Sequence, residues 1–251
     1  MKACSFDYAR PRDISEALKL LKEGGKAAAG TQSLGPMLNL RVVQPALLVD
    51  LRHIEELQAC KDEKESVTLG ACVTHAQIED GKVPDATGGF MREIASNIAY
   101  RAVRNRGTVG GSLVHADPAG DWPSVLTLLG ATAVIAGPKG RREVLVERFL
   151  KGIFETDLAE NELLVAVRIP KRSKAARFGY WKFCRKAGEF PQAIGGALSD
   201  PERKETRAVV GATDGPPRLF LELDPVLNVG KNPYDRQLHA VALKRAVARV
   251  T

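Results

Sequence analysis

Two short segments of the chain, far apart in the sequence, combine glycines with hydroxyl side chains. The first is residues 29–33, AGTQS, and the second, about 80 residues later, is residues 108–112, TVGGS. Glycines let successive backbone N–H groups point into one concavity, and Thr and Ser add hydroxyl donors, so such loops hold phosphate oxygens. Two of them would hold the two halves of a pyrophosphate, with helix N-termini adding positive potential. Each segment by itself is more simply a tight turn, because glycine is the usual turn residue.

Neither segment belongs to the two common nucleotide-binding motifs. A G-x-G-x-x-G run after a strand indicates a Rossmann-type dinucleotide fold, and G-x-x-x-x-G-K-[ST] indicates a P-loop. The sequence contains neither of them. A dinucleotide bound here would therefore be held by another architecture that mixes helices and strands.

The rest of the pattern predicts such a mixed α/β chain. Asp13 caps a helix with Ile14, Leu18 and Leu21 on its apolar face, and Asp121 can cap a later helix. Periodicity predicts one further helix over 91–103 and a final helix that ends near 247. Strands are expected at 26–29, 47–51, 67–73, 131–136, around 144–146, 163–169 and 178–183. A polar, basic stretch at 170–174 marks a domain boundary, so the first domain ends at residue 173.

Composition narrows the class of protein. The 37 Lys and Arg against 30 Asp and Glu give a net charge of +7, but the basic residues are spread along the chain and only 6% of residues are aromatic, which disfavours nucleic acid. No apolar run reaches the roughly 18 residues of a membrane span, and the first residues contain no apolar signal core, so we expect a cytoplasmic protein. The four scattered cysteines form no C-x-x-C pair, and we expect no metal site in this chain.

Four separated signatures together resemble the FAD-binding medium subunit of molybdenum hydroxylases. This family includes the medium subunits of carbon monoxide dehydrogenase and the flavin domain of xanthine dehydrogenase. The signatures are AAAGTQSLGPMLNLR, TVGGSLVHADPAGDWP, NELLVAVRIP and FGYWKFCRKAGEFPQA. They occur in unbroken family order between residue 1 and about residue 215.

The resemblance implies an α+β fold in two domains. Residues 1–173 would form a two-part FAD-binding domain of the PCMH type, with its subdomains meeting near 55–65. Residues 174–251 would form a smaller α+β C-terminal domain of the CO dehydrogenase flavoprotein type. The part after Gly211 is shorter than in most relatives, which leaves open how completely the isoalloxazine ring is covered.

The resemblance also assigns residues to the cofactor. Segments 29–34 and 108–112 look like the pyrophosphate loops, Asp121 like an acidic FAD contact, Leu164 like a leucine beside the cofactor and Lys182 like a lysine near the flavin. Phe190 stands where several relatives carry a tyrosine at the isoalloxazine. The full set is Ala29, Gly30, Thr31, Gln32, Ser33, Leu34, Thr108, Val109, Gly110, Gly111, Ser112, Asp121, Leu164, Lys182 and Phe190.

Residue chemistry leaves alternatives at several of these positions. Asp121 can contact FAD hydroxyls or cap the helix that it begins. Lys182 would bring positive charge to a reduced, anionic flavin, or it is a solvated lysine. His115 is interpreted as a loop or interface residue and Trp122 as packing, because flavin reoxidation needs no such side-chain base.

Two positions depart from the family pattern in the loops themselves. Thr31 replaces a usual second glycine, and Ser112 stands where relatives often have asparagine. The loop can accommodate a hydroxyl donor in place of the glycine, and the shorter serine reduces the reach towards the cofactor.

The function implied by the resemblance is electron transfer. FAD in this chain would pass electrons from [2Fe–2S] clusters of a small partner subunit to NAD, a quinone, a cytochrome or O2, while a large molybdopterin subunit hydroxylates the substrate. The three subunits would assemble as a dimer of heterotrimers. Two alternatives remain open: a self-sufficient flavin oxidase of the vanillyl-alcohol-oxidase type, and a non-catalytic basic module that binds an acidic partner or nucleic acid.

Overall fold

The N-terminal layer is a small parallel sheet with strand order β1-β3-β2. The computed structural model describes residues 2–251. The first elements are β1 (Asp7–Ala9), α1 (Ile14–Lys22), β2 (Lys26–Ala28), α2 (Leu34–Asn39), β3 (Leu47–Asp50), a 3-10 turn (Leu51–His53) and α3 (Glu55–Gln58). Asp13 caps α1 as expected, because its carboxylate accepts a hydrogen bond from the Glu16 N–H at 2.8 Å. Since Ala28 lies in register with Asp50, the segment after β2 emerges at the carboxyl edge of this sheet.

A second layer is an antiparallel sheet with strand order β4-β5-β10-β6-β7. Its strands and the connecting elements are β4 (Cys60–Asp62), β5 (Ser66–Gly70), α4 (His75–Glu79), α5 (Phe90–Ser96), α6 (Arg101–Arg104), α7 (Val109–His115), α8 (Asp121–Leu128), β6 (Thr132–Gly137), β7 (Gly140–Leu145), α9 (Val146–Phe149), β8 (Leu150–Gly152), β9 (Glu155–Thr156) and β10 (Leu163–Pro170). Helices α4 to α8 all lie between β5 and β6 in the sequence, and they carry the second glycine segment.

Two expectations about this region were wrong. The helix expected over 91–103 is broken into α5 and α6, because Ala99 adopts a positive φ of 42° and Arg104 donates to the carbonyls of residues 98 and 99. The second glycine segment is not a loop, since residues 109–112 form the first turn of α7. Thr108 is the N-cap of this helix, and its hydroxyl accepts from the Gly111 N–H at 3.0 Å.

The third layer is a four-stranded antiparallel sheet in sequence order. It consists of β11 (Arg177–Phe183), β12 (Ala193–Asp200), β13 (Glu205–Gly211) and β14 (Arg218–Phe220), with α10 (Pro233–Val247) packed on it. The helix comes very close to the sheet, because a Cβ on Gly179 would collide with the carbonyl of Ala246. At 15 residues α10 is the longest helix, and no helix within residues 2–251 has both the length and the apolar character needed to cross a membrane.

Helix α8 is buried along its whole length between the second and third layers. One continuous core contains Trp122 and Val125 from α8, Val167 from β10, and Ile194 and Val209 from the third sheet. The segments before and after residue 173 therefore share one hydrophobic core. The position of the third sheet relative to the second therefore determines where α8 lies.

The C-terminal end of α8 is held by two arginines. Arg172 donates to the carbonyl oxygen of Leu129 at 2.6 Å, and Arg207 donates to that of Thr127 at 3.1 Å. Cationic side chains at a helix C-terminus satisfy its free carbonyl groups and complement its dipole. The orientation of α8 is thus set from this end as well as by its buried side chains.

Candidate functional site

The two glycine segments meet in the fold. A Cβ on Gly30 would lie 2.8 Å from the Cα of Gly107 and would collide with the carbonyl of Arg106, so only glycine permits this approach. On the other side, the Cβ of Ala29 lies 4.0 Å from where a Cβ of Gly111 would be. The segments that were separated by about 80 residues in the sequence therefore border each other beside the carboxyl edge of the first sheet.

The first segment presents a run of free backbone donors. None of the N–H groups of residues 30–34 donates to an acceptor within residues 2–251, whereas the next one, Gly35 N–H, donates to the Thr31 carbonyl at 2.8 Å. Gly30 is buried and Thr31 to Leu34 are half-buried. Consecutive donors that lack a protein acceptor suit an oxygen-rich anion. Binding of a phosphate by this segment stays a prediction.

The second segment was expected to present its backbone amides in the same way, and that expectation was wrong. The N–H groups of Val109 and Gly110 donate to carbonyls of residues 73 and 71 at 3.0 Å, and those of residues 111 and 112 donate to the hydroxyl and carbonyl of Thr108. The first two amides anchor α7 to the segment that follows β5, and the other two close the first turn of the helix. What remains for a ligand is the half-buried Ser112 hydroxyl, which has no hydrogen-bond partner within residues 2–251.

The reason for glycine at position 110 also differs from the expected one. Neither Gly110 nor Gly111 has a positive φ. A Cβ on Gly110 would lie 2.6 Å from the carbonyl oxygen of Ala71 and 2.7 Å from its Cα. Close packing of α7 against the backbone of Ala71, just after β5, therefore requires this glycine, independently of any ligand.

Asp121 and Lys182, which were assigned separately, are direct partners. The Lys182 ammonium donates to both carboxylate oxygens of Asp121 at 2.9 Å and to the Asn97 carbonyl at 3.0 Å. The phenol of Tyr180 donates to Oδ1 of Asp121 at 2.7 Å. The Asp121 side chain is 8% exposed and that of Lys182 is 17% exposed. Asp121 thus joins the start of α8 to strand β11.

This arrangement corrects the two simpler interpretations of these residues. The N-cap of α8 is Gly120, and Asp121 is the first helical residue, so its carboxylate does not cap the helix. Lys182 is not a solvated lysine, because its charge is compensated by Asp121. The ion pair of Lys182 and Asp121 has no net charge, so Lys182 does not present an isolated positive charge to a ligand.

Burial determines the protonation of the groups around the pair. Desolvation, followed by the charge of Asp121, raises the pKa of Tyr180 well above its ordinary value, so the phenol remains a proton donor. Cys184 follows Lys182 by two residues, and burial raises the pKa of its thiol as well. Neither group supplies a negative charge to the site at neutral pH.

Leu164 and Phe190 occupy contrasting environments. Leu164 lies on β10 in the main core and is 2% exposed, whereas Phe190 lies in the connection between β11 and β12 and is 66% exposed. The hydroxyl of Tyr100 donates to the Ala187 carbonyl in this connection at 3.3 Å. Leu164 belongs to the same core cluster as Val109 of the second segment. The roles of Leu164 and Phe190 at a cofactor stay predictions.

Sequence reasoning missed a buried histidine beside the second segment. Trp122 Nε1 donates to Nδ1 of His75 at 3.0 Å, and the His75 ring fills the space where a Cβ of Gly107 would lie. Burial, together with the charge of Arg104, lowers the pKa of His75 to about 4. The capping box of Thr74 and Gln77 was a readable signal for the start of α4, but nothing in the sequence pairs His75 with Trp122.

Two other features do not contribute to this site. His115 is the last residue of α7, so it lies in a helix and not in a loop, and its ring packs against Phe154 in a tilted arrangement with centroids 5.0 Å apart. A cavity of about 450 Å³ lies between residues 10–14 and 53–56, and no candidate site residue lines it. Residues 2–251 contain no cluster of three metal-ligating side chains.

The chain is similar in sequence and in fold to known FAD-binding subunits. Residues 4–172 match the family described as the FAD binding domain in molybdopterin dehydrogenase. The chain is 35% identical to the caffeine dehydrogenase subunit beta of Pseudomonas sp. (strain CBB1), over 82% of this chain and 71% of that one. It is 36% identical to the carbon monoxide dehydrogenase medium chain of Hydrogenophaga pseudoflava, over 75% and 67% of the two chains. A solved structure of carbon monoxide dehydrogenase from H. pseudoflava superposes with a TM-score of 0.90 at 28% identity, covering 100% of this chain and 98% of that chain.

Proposed function

The chain belongs to the family of FAD-binding domains of molybdopterin dehydrogenases, and from this we propose that it carries electrons through FAD within a molybdenum hydroxylase complex. Its relatives are dehydrogenase subunits, and the chain is accordingly an oxidoreductase subunit. The electrons would come from [2Fe–2S] clusters in a small partner subunit, and an external acceptor would remove them from the flavin.

The observation that carries this proposal is the contact between the two glycine segments. Their junction places the free N–H groups of residues 30–34 next to the start of α7, and a diphosphate bridge needs such a set of donors. The Ser112 hydroxyl would add a donor from the second segment. The residues present therefore fit FAD, although the second segment contributes less than its glycines suggested.

The remaining residues would orient the nucleotide. Asp121 would accept a hydrogen bond from a hydroxyl group of FAD, and Lys182 would keep the carboxylate charge compensated in a nearly water-free place. FAD, when bound, supplies the one-electron and two-electron redox chemistry. The protein's own part is to bind, to orient and to control access of water.

The proposed partners are a small [2Fe–2S] subunit and a large molybdopterin subunit, in a dimer of heterotrimers. Support comes from the relatives, which are named as a medium chain and as a subunit beta and so belong to larger assemblies. NAD, a quinone, a cytochrome and O2 are the candidate acceptors.

The test is to purify the chain together with the subunits encoded next to it. We expect the visible absorbance of oxidised flavin, FAD in the supernatant after acid precipitation, and two co-purifying subunits that carry iron–sulfur clusters and a molybdenum cofactor. A preparation without flavin would contradict the proposal.

The same preparation separates the alternatives. Flavin that stays in the acid precipitate would be covalently bound, as in many self-sufficient oxidases of the vanillyl-alcohol-oxidase type. Association with oligonucleotides that weakens steeply with salt, in a preparation without flavin, would favour the basic binding module.

A further inference from the structure

We propose that Tyr180 is a positioning residue for the cofactor, because it fixes Asp121 so that the second carboxylate oxygen remains available to a hydroxyl group of FAD. The inference rests on the proposed function. It concerns a residue that touches Asp121 and that acts on the nucleotide only through it.

The argument begins with the hydrogen-bonding capacity of Asp121. An ionised carboxylate offers about four acceptor sites, two on each oxygen. Oδ1 accepts from the phenol of Tyr180 at 2.7 Å and from Lys182 at 2.9 Å, so both of its sites are filled. Oδ2 accepts only from Lys182, at 2.9 Å, within residues 2–251. One acceptor site on Oδ2 therefore remains open.

An open acceptor is costly at this position. The Asp121 side chain is only 8% exposed, so water reaches the carboxylate poorly. A buried acceptor without a donor costs about 1–3 kcal/mol, and more when it is charged. A donor supplied by a ligand recovers this energy, and FAD carries several hydroxyl groups that can do so.

Tyr180 is suited to decide which oxygen remains open. Tyr180 is 8% exposed, and its ring meets that of Phe90 edge-on with centroids 6.5 Å apart, so the direction of the phenol is fixed. Lys182 alone would hold the carboxylate through a flexible four-carbon stem. The phenol removes this freedom, because it binds one oxygen only. Without it, the carboxylate can rotate and exchange its two oxygens in front of Lys182.

Tyr180→Phe removes the hydroxyl and keeps the ring, and FAD affinity is the measurement. We expect the FAD dissociation constant of the intact, flavin-depleted chain to increase about tenfold, as for loss of one hydrogen bond to a charged group. Tyr234→Phe is the matched control, because Tyr234 is 61% exposed at the start of α10 and should leave the affinity unchanged.

A double-mutant cycle separates positioning from packing. In an Asp121→Ala background, Tyr180→Phe should cause no further loss of affinity, since the partner through which the phenol acts is gone. An equal loss in both backgrounds, or wild-type affinity of Tyr180→Phe, would overturn the inference.

A second variant protects the test against a folding failure. Asp121→Asn keeps the volume and an acceptor for Tyr180 but can replace the open oxygen by an N–H donor, and we expect at least a tenfold loss of affinity. Unchanged affinity of this folded variant would overturn the inference. Failure of the wild-type chain to bind FAD at all would instead overturn the proposed function on which the inference depends.

Discussion

Thr31 holds a backbone conformation that favours glycine. Its φ is 59°, and a β-branched residue in the left-handed region is strained by about 1–2 kcal/mol. We expect Thr31→Gly to stabilise the apoprotein by about 1 kcal/mol, after the larger entropy of glycine in the unfolded chain is subtracted. Thermal unfolding should shift upwards by about 2–4 °C.

Thr31→Ala is the control for this prediction. It removes the hydroxyl and the γ-methyl group but keeps a Cβ in the left-handed region, so its unfolding temperature should rise less than that of Thr31→Gly. An equal rise in both variants would show that the branched side chain, and not the Cβ in this backbone conformation, causes the strain. A lower unfolding temperature of Thr31→Gly would contradict the prediction directly.

Gly110 and Gly111 are adjacent, but we expect their alanine variants to fail in different assays. A Cβ at 110 meets backbone atoms of Ala71, which cannot move aside, so Gly110→Ala should lose about 1–3 kcal/mol of folding free energy. A Cβ at 111 meets the Thr108 hydroxyl at 2.7 Å. Rotation of this hydroxyl breaks its capping hydrogen bond at a cost of about 1 kcal/mol, which the helix preference of alanine over glycine offsets. Gly111→Ala should therefore stay within about 1 kcal/mol of the wild type while FAD retention falls, because the new methyl group points towards Ala29.

The measurements are urea unfolding of the apoprotein and flavin content after gel filtration. A stable Gly110→Ala variant would refute the packing argument. Full flavin occupancy in Gly111→Ala would show that the space between the two segments is not used by the cofactor.

For single residues, the sequence predicted which side chains belong to the candidate site better than it predicted which of them contact each other. Asp121 and Lys182 were found by the motifs around them, but their pairing required the tertiary fold, since 61 positions separate them. The capping interpretation of Asp121 failed because Gly120 occupies the N-cap. Thr31 was recognised as an unusual residue, and its strain became visible only with the backbone angle.

Among the elements, α4 and α8 are joined by the hydrogen bond between His75 and Trp122, which predicts a pH dependence of stability. The pKa of His75 falls from 6.5 to about 4 in the folded chain, so the unfolded chain takes up a proton first as the pH decreases. Stability is therefore fully present above pH 6.5 and is lost between pH 6.5 and about 4. We expect a loss of about 2 kcal/mol at about pH 5 from this group.

Urea unfolding at about pH 7.5 and about pH 5 measures this loss. His75→Gln keeps an acceptor for Trp122 and does not titrate, so its stability should change less between the two pH values. Equal slopes in wild type and His75→Gln would contradict the assignment.

Seven of the fourteen strands within residues 2–251, and the first and last helices, were predictable because their apolar periodicity is regular, whereas β12 and β13 were not expected. Strand β3 was expected at 47–51 and spans Leu47–Asp50, and β10 was expected at 163–169 and spans Leu163–Pro170. The helix expected over 91–103 was wrong, since a continuous apolar face gives no warning of the turn that Ala99 makes. The second glycine segment was misread as a loop, because glycines that permit close packing and glycines that permit turns are identical in sequence.

For the whole molecule, the shared core predicts cooperative unfolding. Ile194 and Val209 of the third sheet pack into the same cluster as Trp122 and Val125 of α8. We expect calorimetry to show a single transition, with calorimetric and van't Hoff enthalpies in agreement. Two separated transitions would show that the boundary at residue 173, which stays a prediction, divides independently folding domains.

The overall architecture was predictable from the order of four motifs. Which parts of the chain contribute side chains to the candidate site was not. The family match ends at residue 172, yet Tyr180 and Lys182 reach back to Asp121 from beyond it. The motif that covers β11 identified Lys182, but nothing in it distinguished Tyr180 from an ordinary strand residue. Only the layering of the third sheet over α8 brings them to the site.

The contacts of Tyr180 and Lys182 with Asp121 restrict which C-terminal segments can be joined to residues 1–172 in a chimera. A chimera that takes its C-terminal segment from a distant homologue must also inherit a tyrosine and a lysine two positions apart on the strand facing α8. Otherwise Asp121 becomes an uncompensated charge in the interior of the hybrid. The C-terminal segment can therefore be exchanged only together with a compatible partner for Asp121.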